Sequence, residues 1–268
     1  MLPSELIFFH QVPPSHFQKM VRQAAEYAIL SIPFTFNRMG IESISKKILN
    51  IAKGKVAEYM FRYFCFQSDI QVDFESCQTP FYQPDRRDFL WNGKEWDIKN
   101  NFLYYSKEFL NPESYLKLPA LIPNQHENDQ WQKRLTSYFQ LPVAFLFTFL
   151  KNGNRYGENF MEIFVSSRQL KILHHFYRQY QGKAQLLPPF KEKEFWNEFS
   201  TFQIEISHQP TLVITGYATQ QEWSLFRDSG NGIRFYGEGV LKTVINNRFC
   251  WIEQLPSFRS MIQKLGSD

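Results

Sequence analysis

The sequence lacks most of the short motifs that identify an enzyme class. It contains no Walker-type phosphate loop, no glycine-rich dinucleotide motif and no recognisable Ser–His–Asp arrangement. Its three cysteines, at positions 65, 77 and 250, form no C-x-x-C pair. No zinc cluster can be identified from them, and one chain with three cysteines excludes a four-cysteine iron–sulfur cluster. We therefore expect three reduced thiols.

Long apolar runs are also missing. The longest, 141–150, is about ten residues with Pro142 and Thr148 inside it, and a run of that length is too short to span a bilayer. The N-terminal sequence MLPSELIFFH carries Glu5 and no basic residue before its short apolar stretch, unlike a secretory signal. These two features predict a cytoplasmic protein with no membrane partner.

The excess of positive charge is small. The chain has 30 basic and 26 acidic residues, a formal net charge of +4. This balance permits nucleic-acid binding without requiring it. Hydrophobic residues make up 43% of the 268 positions, and 28 of them are Phe. Such a chain can bury a full core, and its length suits one large domain or a core with a smaller appendage.

Apolar spacing predicts an α+β (mixed α/β) fold with a central mixed sheet flanked by helices. The predicted elements of region 1–182 are helices at 14–30 and 41–66 (one or two helices, because Gly54 interrupts the second), a strand at 69–74, a hairpin at 88–99, a helix near 128–139, paired strands at 142–150 and 161–165, and a helix at 167–180. Region 183–268 is predicted to be a β-rich C-terminal appendage, with strands at 202–206, 212–217, 233–236, 242–245 and 249–252.

The segment DFLWNGKEWDIK at 88–99 is the strongest local signal. Asn92-Gly93 lies between two strand-like runs and is typical of a two-residue hairpin with a type I′ turn. Pairing outward from this turn opposes Trp91 with Lys94, Leu90 with Glu95, Phe89 with Trp96, and Asp88 with Asp97. Directly opposed residues share a face, so two carboxylates are predicted side by side, with Lys99 on the same face.

Opposed like charges destabilise a strand pair, so this hairpin predicts a counter-ion. Mg²⁺ or Mn²⁺ is the candidate, since Mg²⁺ prefers carboxylate oxygens, keeps several waters and binds beside substrate phosphates. Lys99 would then lie near an attacking water. On the same face, Glu95 is a weaker candidate for an additional ligand. Asp97 and Lys99 as a plain surface ion pair is the competing interpretation.

The segment PDRRDFLWNGKEWDIK resembles the signature of the PD-(D/E)XK nuclease superfamily, the restriction-endonuclease-like fold. Asp97-Ile98-Lys99 is the only acid-x-Lys triplet among the 26 acidic residues. The literal Pro-Asp dipeptide would select Asp85, whereas the hairpin register selects Asp88. The resemblance covers about residues 40–150 and implies a helix, three strands, a helix and a strand.

The resemblance also implies a set of roles. A Glu on the helix before the hairpin corresponds to Glu58. Asp88, Asp97, the Ile98 carbonyl and Glu58 would hold Mg²⁺ (or Mn²⁺), and Lys99 would position or activate the attacking water. The implied function is metal-dependent endonucleolytic hydrolysis of DNA in restriction, defence, repair or recombination. DNA is the expected partner, and a homodimer is left open. The alternatives are a catalytically inactive nucleic-acid-binding module of the same fold and an RNA nuclease.

Cations near the predicted site form a second hypothesis, that of phosphate contacts. They are Lys46, Lys47, Lys53, Lys55, Arg86 and Arg87. Lys151 and Arg155, in a polar loop, are a further candidate pair. A solvated surface is the competing interpretation for each.

Overall fold

The computed structural model describes residues 4–35, 41–83, 87–103, 111–127, 129–134, 141–152, 159–180, 197, 199, 201–237 and 239–265. Its helices are α1 (Pro14–Ser31), α2 (Ile44–Gln67), α3 (Pro112–Leu116), α4 (Gln130–Lys133), α5 (Ser167–Tyr180) and α6 (Phe258–Leu265). The second predicted helix is one continuous helix across Gly54. Ser43 caps it by accepting a hydrogen bond from the N–H of Lys46.

The strands are β1 (Phe8–His10), β2 (Phe89–Trp91), β3 (Lys94–Leu103), β4 (Pro119–Pro123), β5 (Val143–Lys151), β6 (Met161–Phe164), β7 (Gln203–Ile206), β8 (Thr211–Ala218), β9 (Arg227–Asp228), β10 (Arg234–Tyr236), β11 (Leu241–Thr243) and β12 (Asn247–Trp251). Five of them form a central sheet in the order β1-β8-β5-β3-β2. β3 and β5 are parallel, and the other pairs are antiparallel. The predicted mixed sheet with helices is therefore confirmed.

The central sheet separates two apolar layers. Alternate residues of a strand point to opposite faces, so Trp96 and Leu146 face one layer while Phe145 and Phe147 face the other. The first layer contains α1, α2 and α5. The second is covered by the small sheet β4-β12-β9 and by Tyr115 and Trp131. Every residue of β5 from Val143 to Leu150 is buried, as expected for a central strand.

One predicted pairing and one predicted strand are wrong. β6 does not pair with β5, because β3 and β8 already occupy both edges of β5, and β6 pairs with β7 instead. The predicted strand at 69–74 is reduced to a single bridge between Asp73 and Leu90. Asp69 has a positive φ of 53°, which turns the chain away from an extended path at the start of that segment.

The C-terminal region is β-rich, as predicted, but β8 belongs to the central sheet rather than to an appendage. Leu212, Val213 and Ile214 are fully buried, and β8 pairs with both β1 and β5. A strand covered on both faces takes a largely apolar sequence, as Leu212–Ile214 of β8 do. The predicted division between 1–182 and 183–268 lies outside the described residues and stays a prediction. In the ranges that the structure describes, no helix is long and apolar enough to cross a membrane.

Candidate active site

The β2–β3 hairpin has the predicted turn and register. Asn92 and Gly93 both have positive φ, 48° and 63°, as a type I′ turn requires. The ladder pairs Phe89 with Trp96, Leu90 with Glu95, and Trp91 with Lys94. These three pairs confirm the predicted register, whereas the predicted pair of Asp88 with Asp97 is not part of the ladder.

Asp88 lies one residue before β2, where the ladder ends. Its N–H donates to the Trp96 carbonyl at 2.8 Å, and its Oδ2 accepts from the Ile98 N–H at 2.5 Å. β3 continues to Leu103, beyond the residues that pair with β2. At that point the Asp88 carboxylate takes the place of a main-chain carbonyl as the hydrogen-bond acceptor for β3. In a strand, the N–H and C=O of one residue point to the same side, so the Ile98 carbonyl also faces this edge.

Asp97 and Lys99 share one face of β3. Lys99 Nζ lies 2.6 Å from Asp97 Oδ1 and 5.6 Å from the centre of the Phe145 ring. Phe89 and Trp96 are fully buried on the opposite face, where their rings stack at 5.6 Å. The apolar face therefore anchors the hairpin, and the charged face carries the candidate chemistry.

Glu58 approaches from α2. Its Oε2 lies 2.7 Å from Lys55 Nζ, one helical turn earlier. Burial raises the pKa of the Asp88 carboxyl well above its usual range, and the nearby carboxylates of Glu58 and Asp97 raise that pKa further. Lys55 and the Ile98 N–H act in the opposite direction. The structure thus brings Glu58, Asp88 and Asp97 close enough for their charges to interact.

The mutual repulsion of these three carboxylates is the structural feature that would favour a bound metal ion. A divalent cation would favour the ionised form of Asp88, and carboxylate and carbonyl oxygens are the donors that Mg²⁺ prefers. The donor types therefore fit Mg²⁺. Each of the three carboxylates already has one oxygen in a hydrogen bond. Lys55 donates to Glu58, the Ile98 N–H donates to Asp88, and Lys99 donates to Asp97. Among the described residues, no three His, Cys, Asp or Glu side chains are already arranged as a metal-holding group.

A cleft of about 710 Å³ opens beside this site. Glu58, Asp88 and Ile98 line one part of it. The remaining lining is rich in aromatic rings and cations: Tyr27, Tyr59, Tyr63, Phe66, Phe74, Lys55, Arg62 and Arg87. Most of these residues come from α2, whose positions 55, 59, 62, 63 and 66 recur at helical spacing. That polar and aromatic stripe on α2 is the sequence signal that could have indicated the cleft.

The predicted cation cluster does not form one surface. Lys47 is buried with Nζ 3.9 Å from the centre of the Tyr177 ring, and Lys53 is buried with Nζ 2.6 Å from Asn159 Oδ1. Burial lowers the pKa of Lys53 to about 8. Among the members of this cluster that the structure describes, Lys55 and Arg87 alone line the cleft. A lysine on the face of α2 that meets the core is buried despite its charge. The presence of a cation in the sequence therefore does not tell a buried position from an exposed one.

Of five further candidates, the structure describes Glu95 and Lys151. Glu95 is 2% exposed and ion-paired with Arg87 at 2.6 Å, which gives its carboxylate a structural partner. Asp85 and Arg86 lie outside the described residues, as does Arg155. Lys151 is described, and burial lowers its pKa.

No protein-family model, curated protein or solved structure matches this chain.

Proposed function

We propose that this protein is a Mg²⁺-dependent endonuclease of DNA with a restriction-endonuclease-like core. One observation carries the proposal: Asp88 lies at the open edge of β3, the carboxylates of Glu58 and Asp97 are near enough to raise its pKa, and Lys99 contacts Asp97. An acidic group of this kind, with a lysine beside it, fits the residue types and the order Glu, Asp, Asp-x-Lys of the PD-(D/E)XK signature.

The order of elements supports the same core. Helix α2 precedes the β2–β3 hairpin, and β5 lies parallel to β3. A parallel pair needs a long crossover, and the chain between Leu103 and Val143 supplies it, with α3 and α4 within it. The departure is the first of the three expected strands, which is only the Asp73–Leu90 bridge.

In the proposed site, Glu58, Asp88, Asp97 and the Ile98 carbonyl would hold Mg²⁺. When bound, the ion would neutralise phosphate charge and favour ionisation of the attacking water. Lys99 would orient that water and stabilise charge on the phosphoryl oxygens in the transition state. The burial of Asp97 and Lys99, at 13% and 10% side-chain exposure, would strengthen these electrostatic interactions.

The cleft supports a nucleic-acid substrate. Bases stack on aromatic rings, and phosphates pair with Lys and Arg. Phe66 is 81% exposed, which leaves a large ring surface at the mouth of the cleft. The cations here already have carboxylate partners, Lys55 with Glu58 and Arg62 with Glu75, so substrate phosphates would have to compete for them.

That internal pairing also favours a second candidate, a catalytically inactive nucleic-acid-binding module. Lys99 and Lys55 neutralise two of the three carboxylates without a metal. A module of this kind would bind nucleic acid with no need for Mg²⁺. The RNA nuclease differs from the main proposal only in substrate.

The test is cleavage of plasmid, linear, single-stranded and branched DNA and of RNA, with Mg²⁺ or Mn²⁺ against chelator. The proposal predicts cutting of DNA that stops in chelator. Binding without cutting in either metal supports the inactive module, and cutting of RNA alone supports the RNA nuclease. Glu162→Ala, an exposed acid on β6, is the control variant that should cut like the unaltered protein.

A further inference from the structure

Two arginines lie together on the face of the central sheet opposite α1 and α2. Arg134 follows α4, and Arg248 lies on β12. The Arg134 guanidinium carbon is 3.7 Å from the centre of the Trp131 ring and 5.1 Å from that of Trp223. The Arg248 guanidinium carbon is 5.7 Å from the same Trp131 ring. Both positive charges therefore share one aromatic platform.

Neither arginine has a carboxylate partner in the part of the chain that the structure describes. Asp228, opposite Arg248 in the β9–β12 ladder, accepts instead from the N–H of Gly230 at 3.0 Å. Burial lowers the pKa of Arg134, and the charge of Arg248 lowers it further. Two like charges held close together without an acid are unfavourable unless an anion joins them.

Three buried donor atoms in this cluster have no acceptor: Arg134 Nε, Arg248 Nε and Trp223 Nε1. All three are N–H groups that can donate but cannot accept. A buried donor without a partner is destabilising, and native structures rarely leave several in one place without a water or an ion. The ligand that would satisfy them is one that only accepts.

We infer that Arg134, Arg248 and Trp223 form a binding site for a phosphate group. Phosphate offers several acceptor oxygens and a charge that would balance both guanidinium groups, and Arg is the side chain whose planar fork suits it. Both arginines are only partly buried, so their outer atoms are accessible to solvent. The inference does not depend on the proposed nuclease function.

The cluster lies on the same sheet face as Asp97 and Lys99. The Trp131 ring packs on Phe226 at 5.4 Å, and Phe226 packs on Phe147 at 6.0 Å. Phe147 is the register partner of Lys99 across β3 and β5. A nucleic-acid strand that reached Lys99 could therefore supply the phosphate, and so could free phosphate or a nucleotide.

The test is a titration with inorganic phosphate in chelator at constant ionic strength, followed by thermal melting and calorimetry. We expect a saturable rise in Tm for the unaltered protein. Arg134→Gln and Arg248→Gln should each weaken binding by about tenfold or more, because a hydrogen bond to a charged group contributes on that order. Arg227→Gln is the matched control: it removes an exposed charge one strand away, on β9, and should bind phosphate normally.

A second arm distinguishes the sources of the phosphate. If the two Gln variants also weaken binding of a DNA oligonucleotide, the site takes a nucleic-acid phosphate. If they weaken only inorganic phosphate, it takes a free phosphate. Arg134→Lys serves where a Gln variant does not melt cooperatively, and it should bind several-fold more weakly because it keeps the charge but loses the fork. No saturable rise in Tm, or an equal rise in all variants, overturns the inference.

Discussion

The carboxylates around Asp88 and the arginines around Trp131 are both groups of like charge in partly buried surroundings, but they differ in their partners. Glu58 and Asp97 lie within ion-pair distance of Lys55 and Lys99, so two of the three carboxylates around Asp88 are balanced inside the protein. Arg134 and Arg248 have no such acid among the described residues. On our two proposals, the first region would take up a cation that displaces this balance, whereas the second would take up an anion.

The largest expected effect would come from the acidic region. Asp97→Ala should reduce cleavage by ~10²–10³-fold or more, as expected when one main electrostatic contact of a transition state is removed. It should also weaken Mn²⁺ binding, and in chelator it should bind DNA as tightly as the unaltered protein or more tightly, because repulsion with phosphate is relieved. The measurements are cleavage rate, calorimetry with Mn²⁺ and DNA affinity.

Arg248→Gln sharpens the contrast, because it should leave the metal affinity unchanged. Loss of Mn²⁺ binding in both Asp97→Ala and Arg248→Gln would mean that the two regions are not chemically distinct.

A smaller effect is expected in the salt dependence of DNA affinity. Cationic side chains displace counterions, so affinity should fall steeply as salt rises. If DNA supplies the phosphate at Arg248, Arg248→Gln should reduce the slope of log K against log salt by roughly 0.7–0.9, whereas Arg227→Gln on exposed β9 should have no comparable effect. An affinity that is constant between low and moderate salt would argue against a phosphate-binding surface in either region.

The next effect is on stability, and it depends on pH. The folded-state pKa of Asp88 lies above its ordinary value of 3.8, so between these two pKa values the folded protein holds a proton that the unfolded chain has lost. Stability therefore falls as pH rises through this window. Asp88→Asn should remove that loss, raising Tm at neutral pH by ~2–4 °C for each kcal/mol recovered, with little change below the ordinary pKa.

Asp73→Asn is the matched control with the opposite sign. Hydrogen bonds from the hydroxyl and N–H of Ser76 lower the pKa of Asp73. Its ionised form stabilises the fold above the ordinary pKa, and this stabilisation is lost as pH falls through the lowered one. Asp73→Asn should therefore lower Tm at neutral pH and matter less in acid. If both variants shift Tm at neutral pH in the same direction, the raised pKa of Asp88 and the lowered pKa of Asp73 are contradicted.

The hairpin was predictable because its causes are local. Asn92-Gly93 accepts positive φ at both turn positions, and this sets the register of β2 against β3. Asp97 and Lys99 share a face because they are two residues apart on one strand. The buried strand β5 was predictable for the same reason, because its apolar run is longer than a half-exposed strand would tolerate. The choice of Glu58 came instead from the family resemblance, which implies a Glu on the helix before the hairpin.

The rest depends on contacts between residues far apart in the chain. Arg134 and Arg248 are separated by more than a hundred positions, and no local pattern indicates that they meet at Trp131. The pairing of β8 with β1 and β5 is equally non-local. Burial of Lys47 and Lys53 depends on which face of α2 meets the core. Their charge alone wrongly predicted that they lie on a phosphate-binding surface.

The measurement that tests the central claim most directly is cleavage by Lys99→Ala. Lys99 would act mainly in the transition state, so its removal should lower turnover and barely change ground-state binding. We expect a folded protein that loses most cleavage while its DNA affinity stays within a few-fold, with Lys94→Ala, at the turn end of the same strand, as a fully active control. A folded Lys99→Ala protein that cuts DNA at the unaltered rate would contradict the nuclease mechanism.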